Sequence, residues 1–332
     1  VKRRLGGRLL FLPMVIRERV AGMHSGFRYS GIDAASPESL DQFEHVPSNV
    51  EASRQALAFI MGSVRNVAIH GARGWGKSHV LRAVGNTLGV YVVDVREKRS
   101  GRLPDAPMIV LDDVDSCQAQ PKRCQEIRLE LERRIRTRKR TLVVLAGTER
   151  TARSFLPSPR SWKLVRLNEP CDAERRAIVR RMCTNEGLEL SSTSVELVAR
   201  LVRGDGHSLM GALGRLRVGS DGHAASLHPL RVAGLLHPYL LDNMDYDLRD
   251  VVLDQVSRSA GADARRHTEL AVFTLAEVAG LPEGCVAAYF GIGPGEVYRI
   301  TSEGRRCRDR DPVWRSQVNR IVYNTASYLC EV

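Results

Sequence analysis

Between residues 66 and 167 the apolar positions fall into five short runs: "NVAIH" (66–70), "VYVVDV" (90–95), "PMIVLDDVD" (107–115), "TLVVLAGTER" (141–150) and residues 164–167. Runs of this length, bounded by polar or breaker-rich stretches such as "REKRSGRLPDA", read as strands buried on both faces of a parallel sheet. Between them the period changes. Val80, Leu81, Val84 and Leu88 recur at helical spacing, and Ile127, Leu131 and Ile135 line one face of a helix opened by Pro121. The opposite face of that second helix is a charge run that reads as solvated. From Asp172 onward the pattern is helical only, with clusters at Ala177, Ile178 and Met182, at Val195, Val198, Leu201 and Val202, and at Leu209, Ala212, Leu213 and Leu216. Gly187 and "RGDGH" (203–207) separate these clusters. The pattern therefore predicts an α/β domain with a parallel five-stranded sheet over 38–169 and a small helical module over 170–237. A linker with one helix is expected over 238–270, and a mostly helical region over 271–332.

The loop after the first run carries the chemistry. "GARGWGKS" places Gly71, Gly76, Lys77 and Ser78 in the order G-x-x-x-x-G-K-S, between a strand and a helix, which is the P-loop pattern. Small residues let successive backbone N–H groups turn inward around a phosphate, and the following helix aims the positive end of its dipole at the same point. Gly71, Ala72, Arg73, Gly74, Trp75, Gly76, Lys77, Ser78 and His79 are thus the expected nucleotide-binding residues, with Ser78 placed to ligate Mg²⁺. The third run ends in Asp112 and Asp113, 35 residues beyond Lys77 (112 − 77). Carboxylates at the end of a buried strand need a cation or water to compensate them. Asp112 is expected to hold the Mg²⁺ water shell, and Asp113 to orient or deprotonate an attacking water. Thr148, at the end of the fourth run, is positioned to hydrogen-bond a γ-phosphate or that water.

Composition narrows the class without fixing it. The 332 residues are 43% hydrophobic and 27% charged, as in an ordinary globular chain, and the net charge of +12 makes a polyanion a plausible partner. Of the 50 basic residues 44 are Arg, a bias that phosphate contact and a GC-rich genome both produce. Seven scattered cysteines with no C-x-x-C pair argue against a zinc site and a disulfide framework. Residues 1–37 begin with basic positions before an apolar run. Arg8 and Pro13 interrupt that run, which is too short to span a bilayer, so a leader or interface segment and a cytoplasmic protein are expected.

In order along the chain, "SLDQFEHVPSNVEA" (39–52), "GKSHVLRAVGN", "IVLDDVD", "AERRAIVRRMCTNEGLEL", "HSLMGALGRL" and "SLHPLRVAGLL" resemble the AAA+ ATPases of the bacterial replication initiator DnaA and its shorter Hda-type relatives. The resemblance covers about residues 38–237. It implies an AAA+ core with a helical lid over 170–237, ATP or ADP with Mg²⁺ as cofactor, and nucleotide-dependent self-association. It also implies that Val46, Pro47 and Asn49 line the adenine pocket, and that an arginine finger stands before "WKL", one position from Arg160. Such a finger supplies charge to a neighbouring subunit's site. More loosely, "VAAYFGIGPGEVYRI" (286–300) and "RRCRDRD" are similar to the opening of the family's DNA-binding domain. Arg305, Arg306, Arg308 and Arg310, read as a loop, are the expected contacts to double-stranded DNA phosphates.

Three departures qualify that picture. The lid position that the family fills with an arginine is His207, which moves or weakens ATP sensing, with Arg203 and Arg215 as substitutes. Only about a dozen residues separate the second and third strands, where the family carries an insertion that engages single-stranded DNA. The chain ends at "NTASYLCEV", before the family's helix-turn-helix, although "LAEVAGLPEGCVAAYF" (275–290) also parses as a small helix-turn-helix. The leading expectation is an ATP-binding switch in replication initiation or its control. A helicase-loader or transposition ATPase and a non-hydrolysing nucleotide-binding regulator are the alternatives.

Overall fold

The five apolar runs form five parallel strands, β1 (Asn66–Gly71), β2 (Val92–Asp94), β3 (Met108–Asp112), β4 (Arg140–Ala146) and β5 (Lys163–Arg166), in the order β2-β3-β4-β1-β5. This computed structural model describes residues 39–90, 92–96, 103–220, 227–240, 247–259 and 263–331, so the leader expected over 1–37 lies outside the described residues. The chain divides into two compact units. One comprises the described residues up to His45 together with Asn49–Asn168, and the other comprises Val46–Ser48 and the chain from Glu169 onward.

Side chains alternate across a strand, so each strand of the first unit feeds two cores. Val67 and Ile69 of β1, with Leu142 and Val144 of β4, pack on α1 (Val50–Ile60) and α2 (Lys77–Leu88) through Ala56, Phe59, Val80 and Leu81. Ala68, Val143 and Leu145 pack on the other side against α3 (Pro121–Arg136) and α4 (Glu149–Phe155) through Ile127, Leu131 and Phe155. Both faces are covered, which is why the strands carry almost no polar positions.

One residue of the expected solvated face of α3 is instead fully buried. Arg134 is 0% exposed and donates to Thr141 Oγ1 at 3.0 Å, to the carbonyl of Ala106 at 2.9 Å and to that of Arg140 at 3.0 Å. Burial lowers its pKa to about 10. The guanidinium thereby fixes the entry into β3 against β4, with neutral oxygens in place of a carboxylate.

The second unit is helical: α5 (Asp172–Asn185), α6 (Ser192–Leu201), α7 (Gly206–Gly219), α8 (Pro229–Leu235), the single turn α9 (His237–Leu240), α10 (Leu248–Ser259), α11 (Ala264–Phe273), α12 (Glu283–Phe290), α13 (Pro294–Arg310) and α14 (Pro312–Glu331). Side-chain caps start several of them. Ser191 accepts from the Ser194 N–H, Asp205 from His207 and Ser208, and Asp263 from Arg265 and Arg266.

The stretch expected as a linker with one helix over 238–270 is helical in its described residues from Leu248 to Ser259 and from Ala264 onward. It holds α10 and part of α11, and Leu248, Val252, Val256 and Leu270 are buried. α14 packs against α10, α6 and α8, and Tyr289 Oη lies 2.7 Å from His237 Nε2, so 169–237 and the following helices share one unit. The alternative helix-turn-helix parse falls on a π-helical turn, Thr274–Val278, that extends α11, followed by a turn at Gly280 and then α12.

Candidate functional site

The P-loop leaves the C-terminal end of β1 and enters α2 at Lys77. Gly76 caps α2 with φ +89°, and a Cβ there would sit 2.7 Å from Phe43 Cε2, so only glycine fits. Gly71 meets the backbone even more closely, since its Cβ would lie 2.1 Å from the Leu167 carbonyl oxygen. Lys77 is 6% exposed, and its Nζ donates to the carbonyl of Ala72. Burial pushes its ammonium below the ordinary lysine value, opposed by the more distant charges of Asp113, Asp115 and Asp112. Among the described residues no carboxylate stands within ion-pair distance of it.

Facing Lys77, Ser78 Oγ donates to Asp112 Oδ1 at 3.0 Å, and the Asp113 N–H donates to the same oxygen at 3.0 Å. Asp112 is 5% exposed, and burial raises its pKa while the bond from Ser78 lowers it. A buried carboxylate next to a hydroxyl, with an ammonium close by that has no anion of its own, is the donor set that Mg²⁺ and phosphate fit. Among the described residues there is no group of three or more His, Cys, Asp or Glu side chains placed to hold a metal. Phosphate oxygens and water must supply the other ligands of such a cation. β4 lies between β1 and β3, so the loop and the carboxylates flank a crevice at the C-terminal strand ends, where α/β sheets bind ligands.

Asp113 sits in the left-handed region at φ +48°, which turns its carboxylate away from the β3 line. That carboxylate pairs with Arg96 Nε at 3.0 Å, and Arg96 also grips Asp94 at 2.8 Å. Asp115 accepts from the Ala146 N–H at 2.8 Å and ties the turn after β3 to the end of β4. Sequence reasoning missed Arg96 and Asp115: "REKR" carried no signal beyond polarity, and Asp115, although it closes "IVLDDVD", was given no role. Phe43 was missed as well, although it lies inside "SLDQFEHVPSNVEA". It stacks on His79 at 5.3 Å and walls the loop at Gly76.

The other expected residues are placed as follows. Trp75 is half-buried against the core, while Arg73 is exposed. Asn49 Nδ2 donates to the Glu44 carbonyl at 2.7 Å. Val46 and Pro47 fall in the second unit, where the neighbouring Ser48 N–H donates to Glu174 Oε1 at 2.9 Å. Thr148 caps α4, its hydroxyl accepting from the Thr151 N–H at 3.3 Å. Arg160 is exposed on the short turn Pro159–Ser161 and makes no ion pair among the described residues. His207 opens α7 with an 87% exposed side chain, 3.6 Å from Asp205. Arg175, also missed, lies buried behind that turn and donates to the carbonyls of Ala199, Val202 and Gly204, which fixes the approach to His207.

Arg305, Arg306, Arg308 and Arg310, expected in a loop, lie on α13, a helix whose inner seam is Val297, Ile300, Thr301 and Gly304. Pro294 opens it and arginine is a good helix former, so charge density does not break it. Arg305 is committed to Glu277 through two bonds of 2.9 and 2.8 Å. The other three are exposed and make no ion pair among the described residues. No helix among the described residues is long and apolar enough to cross a membrane.

No protein-family model matches the chain, and a search of curated proteins gives no match. Among solved structures, domain III of the replication initiation protein DnaA from Thermotoga maritima matches with a TM-score of 0.53 at 20% identity, over 63% of this chain and 99% of that one. A replication initiator DnaA bound to AMPPCP and single-stranded DNA gives 0.49 at 15% identity, over 89% of this chain and 99% of that one. A Thermotoga maritima RuvB mutant gives 0.47 at 17% identity, over 79% and 87%. Over the 63% of the chain that aligns, the fold is thus that of DnaA domain III.

Proposed function

We propose that this chain is an ATP-binding AAA+ switch of DNA replication initiation or its control, which self-associates and binds double-stranded DNA according to the nucleotide it holds. The observation that carries the reading is the convergence of buried Lys77 with the Ser78–Asp112 pair at the C-terminal edge of the sheet. When bound, Mg²⁺–ATP supplies the divalent charge and the hydrolysable anhydride. The chain's own groups then have separate tasks. P-loop amides and Lys77 bind phosphate oxygens, and Ser78 and Asp112 hold the cation. Asp113 accepts a proton from water once Arg96 releases it. Asn49 contacts the base.

Arg160, exposed and unpaired among the described residues, is offered to a neighbouring subunit. DNA contact is supported by the net charge of +12 and by Arg308 of α13, which is exposed and makes no ion pair among the described residues, with Arg305 held by Glu277. A second reading, a regulator that binds ATP without hydrolysing it, is favoured by the Asp113–Arg96 pair and by histidine at the lid position. Light scattering with ATP, with ADP and with neither, with and without duplex DNA, tests the switch. A larger assembly with ATP alone is the expected result, and one size in every condition contradicts it.

A further inference from the structure

In the second unit, α11, α13 and the start of α14 line a half-open pocket of about 390 Å³ that takes no part in the P-loop chemistry. Trp314 and Ile300 line its apolar part. Trp314 is 5% exposed, held edge-on by Phe273 at 6.0 Å with Arg266 over its ring at 5.5 Å. Its buried indole N–H has no acceptor among the described residues, a group that is costly to leave unbonded.

The charges around the cavity do not cancel. Glu269 is bonded to Arg265 at 3.0 Å, and Glu303 to Arg299. Asp311 accepts from the N–H groups of Val313 and Trp314 at 2.8 and 3.2 Å and faces Arg266 at 3.8 Å. Arg299 is shared between Glu303 and Glu296, to which it is bonded at 2.7 Å, while Arg306 and Arg310 make no ion pair among the described residues. These two line the cavity one helical turn apart, which puts their Cβ atoms about 6 Å from each other. Two guanidiniums so spaced suit one phosphoryl group. The volume falls within the range of about 300–1,000 Å³ that small ligands occupy.

We propose that this cavity is a second ligand site, for a phosphate ester of nucleotide size, with Arg306 and Arg310 on the phosphoryl group and the apolar end against Trp314 and Ile300. A free nucleotide and a DNA backbone share the phosphate chemistry. The concave shape favours the small ester over the convex backbone of a duplex.

Equilibrium dialysis of labelled ADP against the full chain tests this, and does so separately from the P-loop reading. Wild type is expected to bind two equivalents, and Lys77→Ala and the Arg306→Ala/Arg310→Ala pair one each. Both arginines are exposed, so the paired variant tests binding and not folding. Cys307→Phe, which fills the cavity without changing its charge, is expected to lose the same equivalent as the arginine pair, with thermal melting as the folding control. Unchanged stoichiometry in the arginine variant overturns the proposal. So does arginine-dependent binding of a short duplex that ADP does not displace, since the arginines then serve a backbone outside the cavity. Unchanged stoichiometry in Lys77→Ala alone would count against the P-loop site and leave this one standing.

Discussion

Ser78 Oγ and Asp112 Oδ1, 34 residues apart in the chain, are joined by a hydrogen bond of 3.0 Å that links the first turn of α2 to the last residue of β3. Both oxygens belong to the proposed cation site, so the bond holds it in shape before any ligand arrives. Hydrogen bonds to a charged group contribute about 1.5–3 kcal/mol. Ser78→Ala should therefore weaken ATP binding about tenfold or more with Mg²⁺ present, about 1.4 kcal/mol per decade. Binding in EDTA should change little, and calorimetric titration in both buffers checks this.

Burying Asp112 and Lys77 costs the empty protein stability. A carboxyl whose pKa rises on folding holds its proton more tightly in the folded chain, so stability falls as pH climbs from 3.8 through the raised value and stays lower above it. For Lys77 the folded pKa lies below 10.5, so stability is lost as pH falls through that interval. In the neutral range both costs act. Asp112→Asn and Lys77→Met should each raise the melting temperature of the nucleotide-free protein, by about 2–4 °C for each ~1 kcal/mol relieved. The gain from Asp112→Asn should shrink as pH is lowered toward 3.8. Thermal melts across pH read both.

Arg96 is 60% exposed, so its pairing with Asp113 contributes little to stability. Its consequence is kinetic, because a carboxylate held by a guanidinium is a poor proton acceptor. On the proposed reading Arg96→Ala raises single-turnover ATP hydrolysis several-fold with an unchanged melting temperature, and Asp113→Asn abolishes hydrolysis in either background. No hydrolysis in wild type or Arg96→Ala, despite tight binding, would favour the regulator.

Gly76→Ala meets two obstacles, the φ of +89° and the Phe43 ring 2.7 Å from the new Cβ. The substitution should destabilise the protein by more than about 1 kcal/mol, the cost of left-handed backbone alone. Adding Phe43→Ala removes the clash but not the backbone strain, so the double variant should recover part of the loss relative to Phe43→Ala alone. Denaturant unfolding of the set checks it.

The first unit was legible because its determinants are local. Strands apolar on both faces announce a covered parallel sheet, and a phosphate loop spells its own backbone through Gly71, Gly76, Lys77 and Ser78. What escaped depends on distant partners. Arg134 sits in a run of charges and looks solvated, yet carbonyls and a threonine from two segments, 104–106 and 140–141, receive it. Arg96 draws its role from Asp113 on a neighbouring strand. In α10 the seam Leu248, Val252 and Val256 has helical spacing, but the acids and arginines around it give the polarity of a linker. The arginines of α13 misled in the same way, since charge density was read as a loop while Val297, Ile300 and Gly304 had already set a helical seam.

The central claim is that Lys77, Ser78 and Asp112 form one magnesium-dependent triphosphate site. Titrating ATP into wild type and Lys77→Ala, with and without Mg²⁺, tests it most directly. The account predicts saturable binding by wild type that tightens with Mg²⁺ and a loss of that component in the variant. Equal binding by both proteins, or affinity that ignores the cation, would contradict it.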